Sequence, residues 1–308
     1  MKFRDYQIEI IDKSHTVLEA HQFVYLSMEV RTGKTLTALG VAEKLGIQNL
    51  LFVTKKKAIS SIEADYKKLM PSYQITVINY ESLHKVEGVF DFVVLDEAHT
   101  LGAYPKPSKR TKLIKQMISK QKPYVILMSG TPTPESFSQM YHQVYACPSS
   151  PFKHHVSFYK FAKEYVNVTQ RVIKSFPLNN YDDGKQSILD EMKPYMISYT
   201  QKEAGFKSQI KEHVLKVKMS DLTYRFVKEM REHGVIEGKK TKEVILGDTG
   251  VKKMSKIHQL FSGTVKLESG KGMVTDLSKA KFIHTEFKNQ KIGIFYKFKA
   301  EYEALKQV

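Results

Sequence analysis

The sequence predicts an α/β fold built on a parallel sheet with helices on its faces, and three observations carry that prediction. Short apolar runs alternate with segments of helical spacing through the first half of the chain. The runs are continuously apolar, which suits strands buried on both sides. Three of them give way abruptly to polar residues: Thr32-Gly33-Lys34-Thr35, Asp96-Glu97-Ala98-His99 and Ser129-Gly130-Thr131-Pro132. Ligand sites in such sheets lie at the carboxyl ends of the strands.

Taken in order, strands are expected at residues 23–28, 49–54, 75–79, 92–95 and 124–129. A helix is expected over 35–45, ending at Gly46 as a C-cap, and a second over 58–69, stopped near Pro71. After Pro148 the texture changes. Residues 151–235 are rich in aromatic and charged side chains with helical periodicity. Leu222, Phe226 and Met230 recur at four-residue steps, with Ser220 placed to cap the start and Gly234 to close the end. Residues 237–280, rich in Lys and Gly, fit a mobile loop or a short hairpin. Residues 291–296 read as a new strand, followed by a helix from about 299 to the end. The expected organisation is a first lobe over 1–148, a mainly helical extension over 149–280, and the start of a further α/β lobe over 281–308.

Lys and Arg number 49 against 32 Asp and Glu, a formal charge of +17. Such an excess favours a polyanionic partner, nucleic acid before membrane, because no long basic amphipathic helix stands out. From residue 101 to 134 there are seven basic side chains and no acidic one. A single cysteine, Cys147, excludes an internal disulfide and a Cys-based zinc site and fits a reducing cytoplasm. The start of the chain lacks the apolar core of a signal peptide, and no apolar run approaches membrane-spanning length.

A phosphate-binding loop needs backbone amides to wrap the phosphates, a Lys to meet their charge and a hydroxyl for Mg²⁺. Thr32, Gly33, Lys34 and Thr35, between a strand and a helix, supply these parts, although Met28 stands where the usual pattern has its first glycine and Arg31 departs from glycine as well. In the acidic box, Asp96 is expected to hold Mg²⁺ through water, and Glu97 to orient or deprotonate the attacking water. His99 could couple this site to Ser129 and Thr131. Near the amino end, Tyr6 and Gln7 precede the loop by one helix and one strand, and Gln offers a donor and an acceptor that match an adenine edge. Thr54, Lys55, Lys56 and Lys57 end the second strand, and Tyr80 and Glu81 follow the third. Lys109 and Arg110 belong to a stiff basic loop beyond the acidic box. These groups are either nucleic-acid contacts or solvated surface.

Together these residues resemble the superfamily-2 helicases and translocases, and within them the Swi/Snf-like ATPases with a DEAH-type box. Phe3-Arg4-Asp5-Tyr6-Gln7 resembles the adenine-reading Q motif, Arg31-Thr32-Gly33-Lys34-Thr35 motif I, residues 52–57 motif Ia, and Asn79-Tyr80-Glu81-Ser82-Leu83 the next strand-contact motif. Asp96-Glu97-Ala98-His99 is similar to motif II and Ser129-Gly130-Thr131-Pro132 to motif III in its Swi/Snf-like spelling. Residues 193–198 and 214–219, with Tyr224, echo the helical region between the two motor lobes. The compact spacing resembles a bacteriophage-encoded member. The resemblance implies a RecA-like P-loop lobe that binds ATP and Mg²⁺ and moves along DNA, in the cytoplasm of a bacterium or infected host. It also implies motifs V and VI on a second lobe, including an arginine finger. Only the first strand and helix of that lobe are recognisable, so the expected chain is truncated or completed by another polypeptide, and weak or inactive alone. The alternatives are a non-catalytic nucleic-acid-binding module and the motor part of a restriction system.

Overall fold

The computed structural model describes residues 2–173, 176–206, 211–237 and 243–308. They form two compact units, Met1–Ser208 and Gln209–Val308.

The first unit is a six-stranded, wholly parallel sheet. Its strands are β1 (Phe23–Met28), β2 (Asn49–Thr54), β3 (Gln74–Asn79), β4 (Phe92–Asp96), β5 (Tyr124–Ser129) and, after the antiparallel hairpin β6 (Thr169–Ile173) and β7 (Phe176–Asn180), β8 (Met196–Tyr199), in the order β3-β2-β4-β5-β1-β8. The apolar runs are explained by two cores. Val24, Leu26, Phe52, Val94 and Ile126 point to one face with Ile10, Leu18 and Leu39. Tyr25, Leu51, Val53, Leu95 and Leu127 point to the other with Ile114, Tyr141 and Phe161. The helices supplying these partners are α1 (Asp5–His21), α2 (Lys34–Lys44) and α3 (Ile59–Leu69) on the first face, and α4 (Lys109–Gln121), α5 (Met140–Val144) and α6 (Phe158–Tyr165) on the second. A strand between two such layers has no solvent face for a polar side chain.

The five expected strands are present, with bounds within a residue of those read from sequence. The helical periodicity of 151–235 holds for α6, α7 (Ser187–Met192) and α8 (Asp221–His233). Between them lie the hairpin and β8, which are too short to carry a periodic signal. Residues 174–175 and 207–210 of that stretch lie outside the described residues.

The second unit begins with α8, capped by Ser220 and closed by Gly234 in the left-handed region, as expected. Its buried stripe is Thr223, Val227 and Met230, so Leu222 and Phe226 flank the seam. Where a loop or a short hairpin was expected over 237–280, residues 235–280 hold two small antiparallel pairs, Val235–Glu237 with Val244–Leu246 and Thr264–Lys266 with Gly272–Val274, and the helix α9 (Gly250–Phe261) between them. Residues 238–242 lie outside the described residues. Asp276 ties α8 to α10 (Ser278–Glu286): its Oδ2 accepts from Ser220 N, Ser220 Oγ and Thr223 Oγ1, each at 2.7 Å, and its Oδ1 from Ser278 N at 2.8 Å. Burial opposes the charge, but these donors outweigh it and hold the carboxyl well below the usual range.

One expectation fails here. Residues 291–296 are exposed and join no ladder among the described residues, although the helix expected next is present as α11 (Lys299–Lys306). An apolar run becomes a parallel strand only where a neighbouring strand supplies its hydrogen bonds.

Candidate active site

Strands β1, β2, β4 and β5 end together at one edge of the first unit, around a cleft of about 750 Å³ lined by Arg31, Lys34, Thr35, Asp96, Glu97 and His99 among others. The sheet register sets the levels. Val53 pairs with Leu95, which places Thr54 beside Asp96, and Asp96 pairs with Met128, which places Ser129 one step beyond.

The loop from β1 to α2 is held from both sides. Gly33 caps α2 with φ +83°, and a Cβ there would collide with Gln7 Nε2. The left-handed conformation favours glycine here, and any larger residue would also have to displace the Gln7 amide. Arg31, at φ +64°, takes a left-handed conformation that costs a non-glycine residue about 1–2 kcal/mol. Thr32 is buried, and its hydroxyl donates to the Glu29 carbonyl at 2.7 Å. Lys34 Nζ donates to the carbonyls of Met28 at 2.8 Å and Glu29 at 3.1 Å. Burial lowers its pKa, against the pull of Asp96 and Glu97. The first-turn amides of α2, including those of Lys34 and Thr35, have no intrahelical acceptor and suit an anion.

At the end of β4, Asp96 Oδ2 accepts from the Thr54 hydroxyl at 2.7 Å and Oδ1 from the Glu97 amide at 3.0 Å. Tyr80 donates to the Asp96 carbonyl at 2.6 Å. Burial raises the Asp96 pKa, more than the Thr54 hydrogen bond lowers it. Glu97 sits at φ +51°. Its carboxylate pairs with Lys55 at 3.0 Å and lies 3.5 Å from His99 Nδ1, which is 2.9 Å from Ser129 Oγ. Ser129 Oγ in turn accepts from the Thr131 amide at 3.1 Å. The residues expected to couple the site, His99, Ser129 and Thr131, thus stand in contact, the last through its backbone amide rather than its hydroxyl, with Glu97 next to His99. Oxygen donors from Asp96 and Thr35, with Lys34 beside them, fit a hard divalent cation and a polyphosphate.

Several residues sit differently from expectation. The Gln7 amide, expected at an adenine edge, is buried and engaged by the protein, accepting from Arg4 N at 3.0 Å and donating to the Gly33 carbonyl at 3.3 Å. Tyr6 donates to the Thr32 carbonyl at 3.0 Å. Thr54 and Tyr80, expected on nucleic acid, are buried and serve Asp96. Arg110 lies over the Tyr80 ring and 3.5 Å from Glu81, so these three form one cluster. Lys109 and Arg110, expected in a loop, form the first turn of α4 behind its Ser108 cap, and Lys56, Lys57 and Lys109 are exposed.

Sequence reasoning missed the part played by β8. Tyr199 stacks on Tyr6 with ring centroids 4.8 Å apart, and Gln201 donates to the Val30 carbonyl at 2.9 Å and to Glu29 Oε2 through its backbone amide at 2.7 Å. These contacts brace the phosphate loop from a segment whose residues 193–198 were expected in the helical region between two lobes, and where the structure instead has β8 paired with β1.

The fold and the cleft define a P-loop nucleotide-binding lobe with an acidic box. Residues 20–270 match the SNF2-related domain, and the chain belongs to that family. It is therefore a helicase-like protein of the Swi/Snf branch of superfamily 2. It is similar in fold to the Sulfolobus solfataricus SWI2/SNF2 ATPase core domain, with a TM-score of 0.50 and 17% identity, over 85% of this chain and 57% of that one. A protein of Invertebrate iridescent virus 3 with a provisional helicase name, 109L, is 27% identical over 122 residues, which is 31% of this chain and 37% of the viral one. The chain thus spans less than two thirds of either relative. Among the described residues, no helix is long and apolar enough to cross a membrane.

Two outcomes follow from this geometry. Gly33→Ala forces a left-handed alanine against Gln7, a cost of at least about 1–2 kcal/mol, and ATP affinity in a fluorescent-nucleotide titration is expected to fall by roughly tenfold or more. Unchanged affinity would show that the loop reshapes freely. The raised pKa of Asp96 means that its carboxyl takes up a proton before an ordinary aspartate as the solution is acidified. Mg²⁺-dependent nucleotide binding is then lost as pH falls, beginning above the ordinary aspartate range. Titrating Mg²⁺ affinity against pH at subsaturating Mg²⁺ checks it, and an affinity that stays constant until the ordinary aspartate range is reached would contradict the assigned environment.

Proposed function

We propose that this chain is the ATP-hydrolysing part of a DNA translocase or helicase of the Swi/Snf-like branch. The observation that carries the reading is the convergence of Lys34, Thr35, Asp96, Glu97 and His99 on one cleft, with His99 linked onward to Ser129.

In this reading Lys34 leaves the Met28 and Glu29 carbonyls to meet the β- and γ-phosphates, while the α2 amides bind their oxygens. Thr35 and Asp96 hold Mg²⁺, which neutralises charge on the phosphates when bound. Glu97, near His99, orients the attacking water or accepts its proton. His99, Ser129 and Thr131 pass the state of the cleft to the loop after β5. Tyr6 and Gln7 set the position of the phosphate loop through the Thr32 and Gly33 carbonyls. Exposed Lys56, Lys57 and Lys109, on a chain of charge +17, face the phosphodiester backbone of DNA, with Lys55 and Arg110 as neighbours.

A second reading, a DNA-binding module with little turnover of its own, is favoured by one observation. Among the described residues, the Lys and Arg side chains lining the cleft are Arg31 and Lys34, both on the phosphate loop. Phosphoryl transfer in such ATPases also draws on an arginine reaching the γ-phosphate from another element. A C-terminal lobe or a second polypeptide would supply it.

Measuring ATP hydrolysis by these 308 residues with and without DNA separates the readings. DNA-stimulated hydrolysis supports the first, and Glu97→Gln is expected to reduce it by roughly 100-fold or more while ATP still binds. Retained turnover in that variant would remove Glu97 from its role. DNA binding should weaken steeply with salt, and a Lys56→Ala, Lys57→Ala double variant should lower the log–log slope by about one to two. An unchanged slope would place the DNA elsewhere.

A further inference from the structure

Away from the nucleotide cleft, the turn after α5 and the last turn of α6 bring His154, His155 and Glu164 together. One ligand-capable atom from each lies within 4.8 Å of the others. His155 is only 7% exposed, and its Nε2 is buried without a hydrogen-bond partner. An orphaned ring nitrogen of this kind is costly and calls for an explanation. Glu164 Oε2 lies 3.3 Å from it, outside hydrogen-bonding geometry.

That separation is informative. Two ligands bound to one tetrahedral ion at about 2.0–2.1 Å stand about 3.3 Å apart. The neighbouring groups also hold this arrangement in place. The His155 ring sits edge-on against Phe161 and Tyr165, and its carbonyl accepts from the Tyr141 hydroxyl at 2.7 Å. Lys185 Nζ donates to the Glu164 carbonyl at 2.6 Å. His154 is exposed, its ring centroid is 3.9 Å from that of His155, and one of its ring nitrogens already lies within 4.8 Å of the other two ligand atoms.

We propose that His154, His155 and Glu164 bind a divalent transition ion of the zinc class, with water in the remaining position. Imidazole nitrogens with one carboxylate are a donor set that suits such ions, and three protein ligands leave one tetrahedral position open. The ion would fasten the connection that follows α5 to the end of α6. None of the three residues lines the nucleotide cleft.

The test uses the whole chain carrying Asp96→Asn and Glu97→Gln, so that the cleft's own carboxylates do not bind the probe. Zn²⁺ alone is titrated calorimetrically, and Co²⁺ is followed by its visible absorption. One equivalent is expected to bind, with the intense bands of tetrahedral Co²⁺. His154→Ala and Glu164→Gln, both at exposed positions, are each expected to weaken binding by at least about tenfold and to abolish those bands. The buried His155 is left intact because its replacement could unfold the corner. Failure to bind Zn²⁺ below millimolar concentration, or undiminished affinity in either variant, would overturn the proposal.

Discussion

Because helices cover both faces of the central sheet, a side chain that must meet water or phosphate can do so only where a strand ends. Strands β1, β2, β4 and β5 end together, and the register brings Thr54 level with Asp96 and Ser129 one step further on. The cleft is therefore a consequence of how the sheet is buried. The same packing that makes Val94 and Leu95 inaccessible delivers the next residue, Asp96, half-buried to the rim.

Half-burying a carboxylate is costly, and the surroundings offset only part of that cost. The Thr54 hydroxyl and the Glu97 amide each serve one oxygen of Asp96, and its pKa remains raised. Lys34 shows the complementary imbalance, a cation whose burial lowers its pKa. Arg31 and Glu97 add left-handed backbone at the same rim. Such concentrations of unfavourable terms are typical of sites whose full set of partners includes a ligand. A Mg²⁺-bound polyphosphate has the charges that would relieve both groups.

Much of this was legible in the sequence. The continuously apolar runs ending at Met28, Thr54 and Ser129 gave strand bounds directly, because both faces are buried and polar residues begin where burial stops. The connected chain from Glu97 to Thr131 followed from short motifs placed after those strands. What local pattern could not reveal was the use of side chains across long sequence separations. Gln7 and Tyr6 turn to the phosphate loop, Thr54 and Tyr80 turn inward to Asp96, and β8 brings Tyr199 and Gln201 against the loop from some 170 residues away. A four-residue strand carries no periodicity, and residues 291–296 show the converse, an apolar run without a ladder.

In the proposed function Asp96, held by Thr54 at the end of a buried strand, serves as a metal ligand for a bound nucleotide. The most direct test of that role is calorimetric titration of ATP with and without Mg²⁺ into the unaltered chain and into Asp96→Asn. Mg²⁺ is expected to tighten ATP binding in the first and to have no effect in the second. An equal gain from Mg²⁺ in both would contradict it.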